Sequence, residues 1–241
     1  MIIPSWQSAH TELSSLEMQI DIETEWIKTN GAKRWMVWFS IEGDLRFLSH
    51  RNVMNLCERA AARAGLPVAF SRGFNPHPKI SLLLPRPVGV ASRCELLIIG
   101  FERVIHDARW LERFSKQFPP SAKVLRAEPM PDKSHIWVKS VTYRLPLTDI
   151  ERKVVLQYLA EMKGNRSSKN GQIKEDKNIK NYIIDIDVFE DALTFTIAGN
   201  RQTSPVGPNR VLKEIGFTEP SEVIARLIRT RLVCQISQGN L

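Results

Sequence analysis

RWMVWFSIEGDLRFLSHRNVMNLCERAAARA, residues 34 to 64, decides the fold of this 241-residue chain. Its opening residues are aromatic or β-branched, which is typical of a strand. Ser49 can then cap a helix that ends near Ala64, because Gly65 and Pro67 follow. Along that helix, apolar residues recur at helical spacing opposite a stripe of asparagine and arginine. The stretch therefore predicts a strand, a turn over GDLRFL and an amphipathic helix.

The same order of elements occurs twice along the chain. After the first helix, PVAFS (67–71) and CELLIIGF (94–101) are predicted as strands, and a helix and a further strand follow. The second half repeats this order from IWVKSVTYRLPL (136–147) onward. We therefore predict an α+β protein with two tandem ferredoxin-like (βαββαβ) domains, each with an antiparallel sheet. The predicted units are an N-terminal extension (1–33), a first domain (34–131) and a second domain (132–241).

The charge of the chain favours binding to polyanions. Lys and Arg number 34 against 26 Asp and Glu, which gives a formal net charge of +8. A basic surface attracts RNA, DNA or anionic lipid. Residues 163–180 concentrate six Lys or Arg against two acids and have few apolar residues, which predicts a solvated loop. That loop either binds phosphate or has no role of its own.

Several classes of protein are not expected. No apolar run is long enough to span a membrane, so we expect no membrane association. The first residues have neither the basic nor the apolar region of a secretory signal. The three cysteines, Cys57, Cys94 and Cys234, are far apart and odd in number, which favours reduced thiols over disulfides. The sequence therefore predicts a cytoplasmic protein.

A stiff loop, SRGFNPHPKIS (71–81), follows the predicted strand PVAFS. In a right-handed β-α-β crossover, the carboxyl ends of both strands and the amino end of the helix lie at one edge of the sheet. We therefore expect this loop and the turn before the first helix to lie side by side, where the helix dipole and nearby cations suit a phosphate. The predicted ligand-binding residues are Asp44, Arg46, Ser49, His50, Arg72, Asn75, His77 and Lys79.

Two of these residues, His50 and His77, are also candidate catalytic residues. One imidazole could act as base and the other as acid in a phosphodiester cleavage that needs no metal. The alternative is that the polar residues of both turns only cap the helix and stiffen the loops. No metal-ligand spacing, P-loop or glycine-rich dinucleotide motif occurs, so we expect neither a metal nor a cofactor.

The chain closely resembles the DUF2344, or radical SAM-linked, family in three consecutive stretches, FSIEGDLRFLSHRNVM, ERAAARAGLPVAFSRGFNPHPKIS and PRPVGVASRCE. This resemblance implies a partner, a radical SAM protein with a cobalamin-binding-like region that carries the radical chemistry. The chain itself has no CxxxCxxC cluster motif. Two positions depart from the family pattern: Val206-Gly207-Pro208 replaces an Arg-Pro pair, and Arg72 replaces a frequent glutamine.

Three functions are expected from these observations. The leading one is a non-catalytic accessory protein of a radical SAM enzyme that binds RNA or another phosphate-bearing ligand at the edge of the first domain. The second is a metal-independent RNA or phosphoester hydrolase that uses His50 and His77. The third is a protein-interaction module that docks on the radical SAM partner.

Overall fold

A computed structural model describes residues 32–106, 108–131, 133–164 and 179–238. The predicted N-terminal extension, apart from its last two residues, lies outside the described residues. So does most of the basic 163–180 segment.

Eight strands and five α-helices occur in the described parts of the chain, with short 3-10 turns between some of them. The strands are β1 (Ala32–Ile41), β2 (Ile80–Leu82), β3 (Ala91–Ile105), β4 (Val124–Met130), β5 (Ser134–Pro146), β6 (Ile183–Phe189), β7 (Ala192–Ala198) and β8 (Ile228–Gln238). The helices are α1 (His50–Arg63), α2 (Arg109–Ser115), α3 (Asp149–Gly164), α4 (Pro208–Ile215) and α5 (Pro220–Val223).

All eight strands belong to one sheet. In the first half their order is β4-β1-β3, with β2 on the other side of β3, and in the second half it is β8-β5-β7-β6. Every pairing within a half is antiparallel. The halves join where Ala91 and Ser92 of β3 pair in parallel with Ile228 and Arg229 of β8. The predicted α+β class and the mostly antiparallel sheet are therefore confirmed.

Strand β1 is buried on both faces, which accounts for its unbroken run of large apolar residues. Trp35, Val37 and Phe39 belong to a core that the strand shares with α1 and α2. Met36 and Trp38 face the opposite way, into a second core that is built mainly by the other half of the chain. The first-half part of the sheet, called the first sheet below, therefore has helices on one face and the second half of the chain against the other.

Helix α1 begins and ends where the sequence predicts. The Ser49 side chain accepts a hydrogen bond from the backbone N–H of Asn52 at 3.2 Å. Gly65 follows the last turn with a φ of +61°, in the left-handed region that glycine tolerates best. The predicted apolar face is buried at Val53, Cys57 and Ala60, so the helix packs on β1 as expected.

Replacing Ser49 with alanine is expected to lower the free energy of unfolding by about 1 kcal/mol, because the helix loses its amino-terminal cap. Urea denaturation of the purified protein measures this change. Ser204→Ala, at an exposed loop serine, is the matched control and should leave stability unchanged. Equal stability of the two variants would show that the cap contributes nothing.

The segment PVAFS is not a strand, and this corrects the predicted topology. Pro67 has no N–H to donate, and the segment forms only isolated bridges, Val68 to Phe101 and Phe70 to Pro78. The second strand of the crossover is instead β2, which begins at Ile80, after the loop, and pairs with β3 in a continuous ladder. The loop therefore precedes the second strand of the crossover instead of following it.

A buried ion pair lies at the junction of the two halves. Arg229 on β8 donates to Glu95 on β3 at 3.0 Å, and the two side chains are 1% and 2% exposed. The same guanidinium also donates to the carbonyl oxygens of Leu84 at 3.3 Å and Pro85 at 3.0 Å. One side chain thus connects the last strand to two separate segments of the first half.

Candidate functional site

The predicted ligand-binding residues do not lie at one edge of the sheet. The turn that carries Asp44, Arg46, Ser49 and His50 follows the carboxyl end of β1, where Ile41 pairs with Ser92. The loop that carries Arg72, Asn75 and His77 lies at the other end of the sheet, because the Lys79 carbonyl oxygen accepts from the N–H of Gly100 at 2.8 Å. Gly100 lies eight positions after Ser92 along β3, so the two turns lie about 26 Å apart.

The expected shared edge was therefore wrong, and the reason is the position of β2. A loop that follows the second strand of the crossover would meet the turn after β1, whereas a loop that precedes it meets the amino end of β1. The predicted set is thus divided into two groups at opposite ends of the first sheet.

In the turn after β1, the arginine is engaged by the protein itself. The Arg46 guanidinium donates to the carbonyl oxygen of Gly43 at 3.0 Å and to that of Ala225 in the second half. Asp44 and His50 are exposed, and Ser49 caps α1. These contacts connect the two halves of the chain through Arg46. They support the alternative that the polar residues of this turn have a structural role and do not bind a ligand.

A neighbouring residue that the sequence analysis did not single out, Arg86, completes this arrangement. It is 6% exposed and donates to the carbonyl oxygens of Arg46 at 2.7 Å, Leu48 at 3.2 Å and Val90. Burial lowers the pKa of Arg86, and Glu95 acts in the opposite direction. The available signal was an arginine between two prolines in PRPVGV, which suits a rigid structural position better than a mobile surface one.

The second group lies on a narrow hairpin-like loop. Its neck is closed by hydrogen bonds from the backbone N–H of Lys79 to the carbonyl oxygen of Ala69 at 2.7 Å, and from the N–H of Ser71 to the carbonyl oxygen of His77 at 2.8 Å. The N–H of His77 also donates to the Ser71 hydroxyl at 2.9 Å. Arg72 and Asn75 project from this closed neck and are exposed. The loop is therefore rigid at its base and polar around its tip.

A pocket of about 580 Å³ lies beside the neck of this loop. Ala69 and Lys79 form its wall on the loop side, and Gly100 lies against Lys79, where an added Cβ would come within 3.1 Å of the lysine Cβ. Lys133, from the connection between β4 and β5, also lines the pocket. The pocket therefore lies where the two halves of the chain adjoin.

Four cationic side chains line this pocket, Lys33, Arg34, Lys79 and Lys133, and none of the described residues in its lining is a carboxylate, imidazole or thiol. Arg34 donates to the carbonyl oxygen of Ser134 at 2.9 Å. The three lysines are exposed and form no ion pair within the described residues. Such a concentration of one charge sign attracts anions, and ammonium groups suit phosphate oxygens. The pocket can therefore bind a phosphate through the lysines and the arginine that line it.

Of these four cations, only Lys79 was predicted from the sequence as a ligand contact. Lys33 and Arg34 stand at the start of β1, where the sequence shows only a basic pair before an apolar run. Lys133 lies in a short connection, with a φ of +59°. Their meeting depends on the pairing of β1 with β3 and on the path between the halves, neither of which a local pattern reports.

Other chemistry is not supported by the described part of the chain. There, no group of three or more His, Cys, Asp or Glu is placed to hold a metal ion. All three cysteines are buried, and burial raises the pKa of Cys94 and Cys234 to about 12, so these thiols stay protonated near neutral pH. Among the described helices, none has the length and apolar character to cross a membrane.

A family model described as an uncharacterized protein conserved in bacteria (DUF2344) matches residues 34–208. The chain belongs to the DUF2344 family. The DUF2344 match includes Arg34, Lys79 and Lys133 of the pocket, together with the whole 71–79 loop. A search of the curated proteins found no match.

Proposed function

We propose that this DUF2344 protein is a non-catalytic accessory protein that binds RNA or another phosphate-bearing ligand. The proposal rests on one observation: three lysines and an arginine converge on a pocket whose described lining residues include no carboxylate. Lys79, Arg72, Asn75 and His77 of the predicted set lie on the loop at this pocket and remain predicted ligand contacts. The turn after β1 is not part of the proposed site.

Binding through these cations should depend strongly on salt. If three lysines each contact one phosphate of a single strand, the logarithm of the association constant falls with a slope near −2 against log salt, or roughly 20-fold between 50 and 200 mM. Fluorescence anisotropy with labelled tRNA and rRNA fragments measures this slope. Absence of binding at 50 mM salt would retire the proposal.

The two-histidine hydrolase is not favoured by this geometry. General acid and base must both reach the same scissile group, within hydrogen-bonding distance or through one water. His50 follows the carboxyl end of β1, and His77 lies on the loop at the opposite end of the sheet. The register therefore separates the two imidazoles far beyond the reach of one phosphodiester.

A partner protein remains part of the proposal. The family resemblance motivates a radical SAM protein as that partner, and a feature away from the pocket supports a docking role. Phe47 and Val88 are both more than half exposed and flank the hydrogen bond from the N–H of Gly89 to the carbonyl oxygen of Arg46. Copurification with a radical SAM protein that survives high salt and nuclease treatment supports docking, and loss of the partner under either treatment argues against it.

We also propose that the two halves are tandem ferredoxin-like units. The strand orders support this proposal, since the first half has β4-β1-β3-β2 and the second has β8-β5-β7-β6. In each half, the order across the sheet is therefore fourth, first, third and second strand. We further propose a cytoplasmic location, which the three unpaired, buried cysteines support.

A further inference from the structure

The loop beside the lysine pocket carries a solvent-exposed phenylalanine. Phe74 stands at the apex of the 71–79 loop, and its side chain is fully exposed, with a relative accessibility of 109%. A large aromatic side chain in water is unfavourable by about 25 cal/mol for each square ångström of apolar surface. Its full exposure at the loop apex therefore leaves the aromatic ring available to a ligand, and covering it would be favourable.

The position of Phe74 relative to the pocket is set by the neck of the loop. Ala69 and Lys79 both line the pocket and are paired through their backbones. Ser71 and His77 form the next pair, two residues further out, which corresponds to about 7 Å along an extended pair of strands. Phe74 lies three residues beyond Ser71, at the apex of the loop. The two proline residues of the loop limit its movement.

The surroundings of Phe74 favour a nucleobase over an apolar protein surface. Arg72, Asn75 and His77 are its neighbours on the loop, and all three are exposed. Protein interfaces concentrate their binding energy in apolar centres that lack charge, whereas this loop combines polar side chains with one other exposed aromatic residue, Phe70. A nucleobase combines a flat π-face with polar edges, and aromatic side chains beside a basic groove are how single strands are bound without sequence preference.

We propose that Phe74 stacks on an unpaired nucleobase of a single-stranded RNA segment whose phosphates contact Lys33, Lys79 and Lys133. This inference deepens the proposed function and rests on it. It restricts the ligand from any phosphate compound to one with an accessible base, because bases within a duplex are already stacked. Arg72, Asn75 and His77 then lie within reach of the base edge or the adjoining phosphate.

The test compares two anionic probes that share charge and differ in bases. A fluorescently labelled 12-nucleotide oligouridine reports stacking and charge together, while inorganic polyphosphate, used as a competitor or in calorimetry, reports charge alone. Phe74→Ala and Phe74→Leu are expected to weaken binding of oligouridine about 10-fold, since the loss of one aromatic stacking contact weakens binding by about that factor or more. Neither variant should change the affinity for polyphosphate.

Phe189→Ala is the matched control, because Phe189 is an exposed phenylalanine at the end of β6, in the second half of the chain. It should bind both probes as the unmodified protein does. Phe74→Leu keeps an apolar side chain, so a selective loss in this variant separates stacking from general apolar contact. Since Phe74 is fully exposed, thermal unfolding of its variants should match that of the unmodified protein.

The outcomes separate this inference from the proposal beneath it. If both Phe74 variants bind oligouridine as tightly as the unmodified protein, stacking is refuted while the lysine pocket stands. If they lose oligouridine and polyphosphate equally, the residue shapes the pocket and does not stack, which also overturns the inference. If the unmodified protein binds neither probe at 50 mM salt, the proposed function fails first.

Discussion

Replacing Arg229 with methionine is expected to lower the free energy of unfolding by about 3–5 kcal/mol, because one partner of a buried ion pair is removed. Glu95 is 2% exposed, and within the described residues its ion-pair partner is Arg229. Without the arginine, the buried carboxylate of Glu95 loses its ion-pair partner and keeps a longer-range electrostatic interaction with Arg86. The carbonyl oxygens of Leu84 and Pro85 lose a donor as well.

The electrostatics of the site agree with this expectation. Burial opposes the charge on Arg229, but the adjacent Glu95 and Tyr143 raise the pKa of the guanidinium, so it remains charged at all ordinary pH values. Burial raises the pKa of Tyr143, whose hydroxyl lies 3.4 Å from the guanidinium, and Arg229 acts in the opposite direction. The charge at the junction is therefore permanent and depends on its partners for compensation.

Urea denaturation of four proteins tests the expectation. Glu95→Gln should also lower the free energy of unfolding, because Arg229 keeps its two carbonyl acceptors but its permanent charge loses the carboxylate beside it. The double variant Arg229→Met, Glu95→Leu should recover most of the stability, as apolar replacements of buried ion pairs often do. Arg59→Met, at an exposed position of α1, is the control and should change stability by less than about 0.5 kcal/mol. If Arg229→Met is as stable as this control, the ion pair does not hold the halves together.

The sequence predicted the elements around β1 and α1 well because their signals are local. The apolar run of β1, the cap at Ser49 and the glycine after α1 each depend on a few adjacent residues. The same holds for the helix that ends at Gly216, which has a φ of +115°. Such features are set by backbone sterics and by the satisfaction of terminal N–H and C=O groups, so they can be identified in a single sequence.

The alternating arginines of β8 show where this local reasoning ends. The sequence predicts a strand with Arg229 and Arg231 on it, and the structure confirms the strand. Arg229 is fully buried while Arg231 is exposed. That difference depends on β3 and the 84–86 segment packing against the start of the strand. The partner is distant in sequence, so no pattern within the strand distinguishes the two arginines.

The expected shared edge of the two turns was wrong for a related reason. PVAFS has strand-like composition, but Pro67 and the narrow loop after it leave that segment with only isolated bridges. Assigning the second strand to PVAFS instead of β2 moved the loop from one end of the sheet to the other. Placing one short strand about ten residues too early was therefore enough to predict, incorrectly, that His50 and His77 lie close together. It also left undetected that Lys79 and Lys133 line the same pocket.

Reversing the three lysine charges of the pocket is expected to abolish measurable RNA binding. In the variant Lys33→Glu, Lys79→Glu, Lys133→Glu, three attractions to phosphate become three repulsions at one place. Like-charge contacts at an interface cost several kcal/mol, so we expect a loss of at least about 100-fold, or roughly 3 kcal/mol. Anisotropy titrations with a labelled single-stranded RNA at 50 mM salt measure the loss, and thermal unfolding confirms that the exposed substitutions leave the fold intact.

A second triple variant distinguishes a site from general attraction. Lys139→Glu, Lys153→Glu, Lys213→Glu changes three exposed lysines of the second half and, like the pocket variant, lowers the net charge from +8 to +2, since each exchange removes two. If binding came from the net charge alone, both variants would lose affinity equally. A local pocket predicts that the control retains most of its affinity while the pocket variant loses it. Equal losses would leave the protein as a diffuse polycation and remove the pocket as the place where phosphate binds.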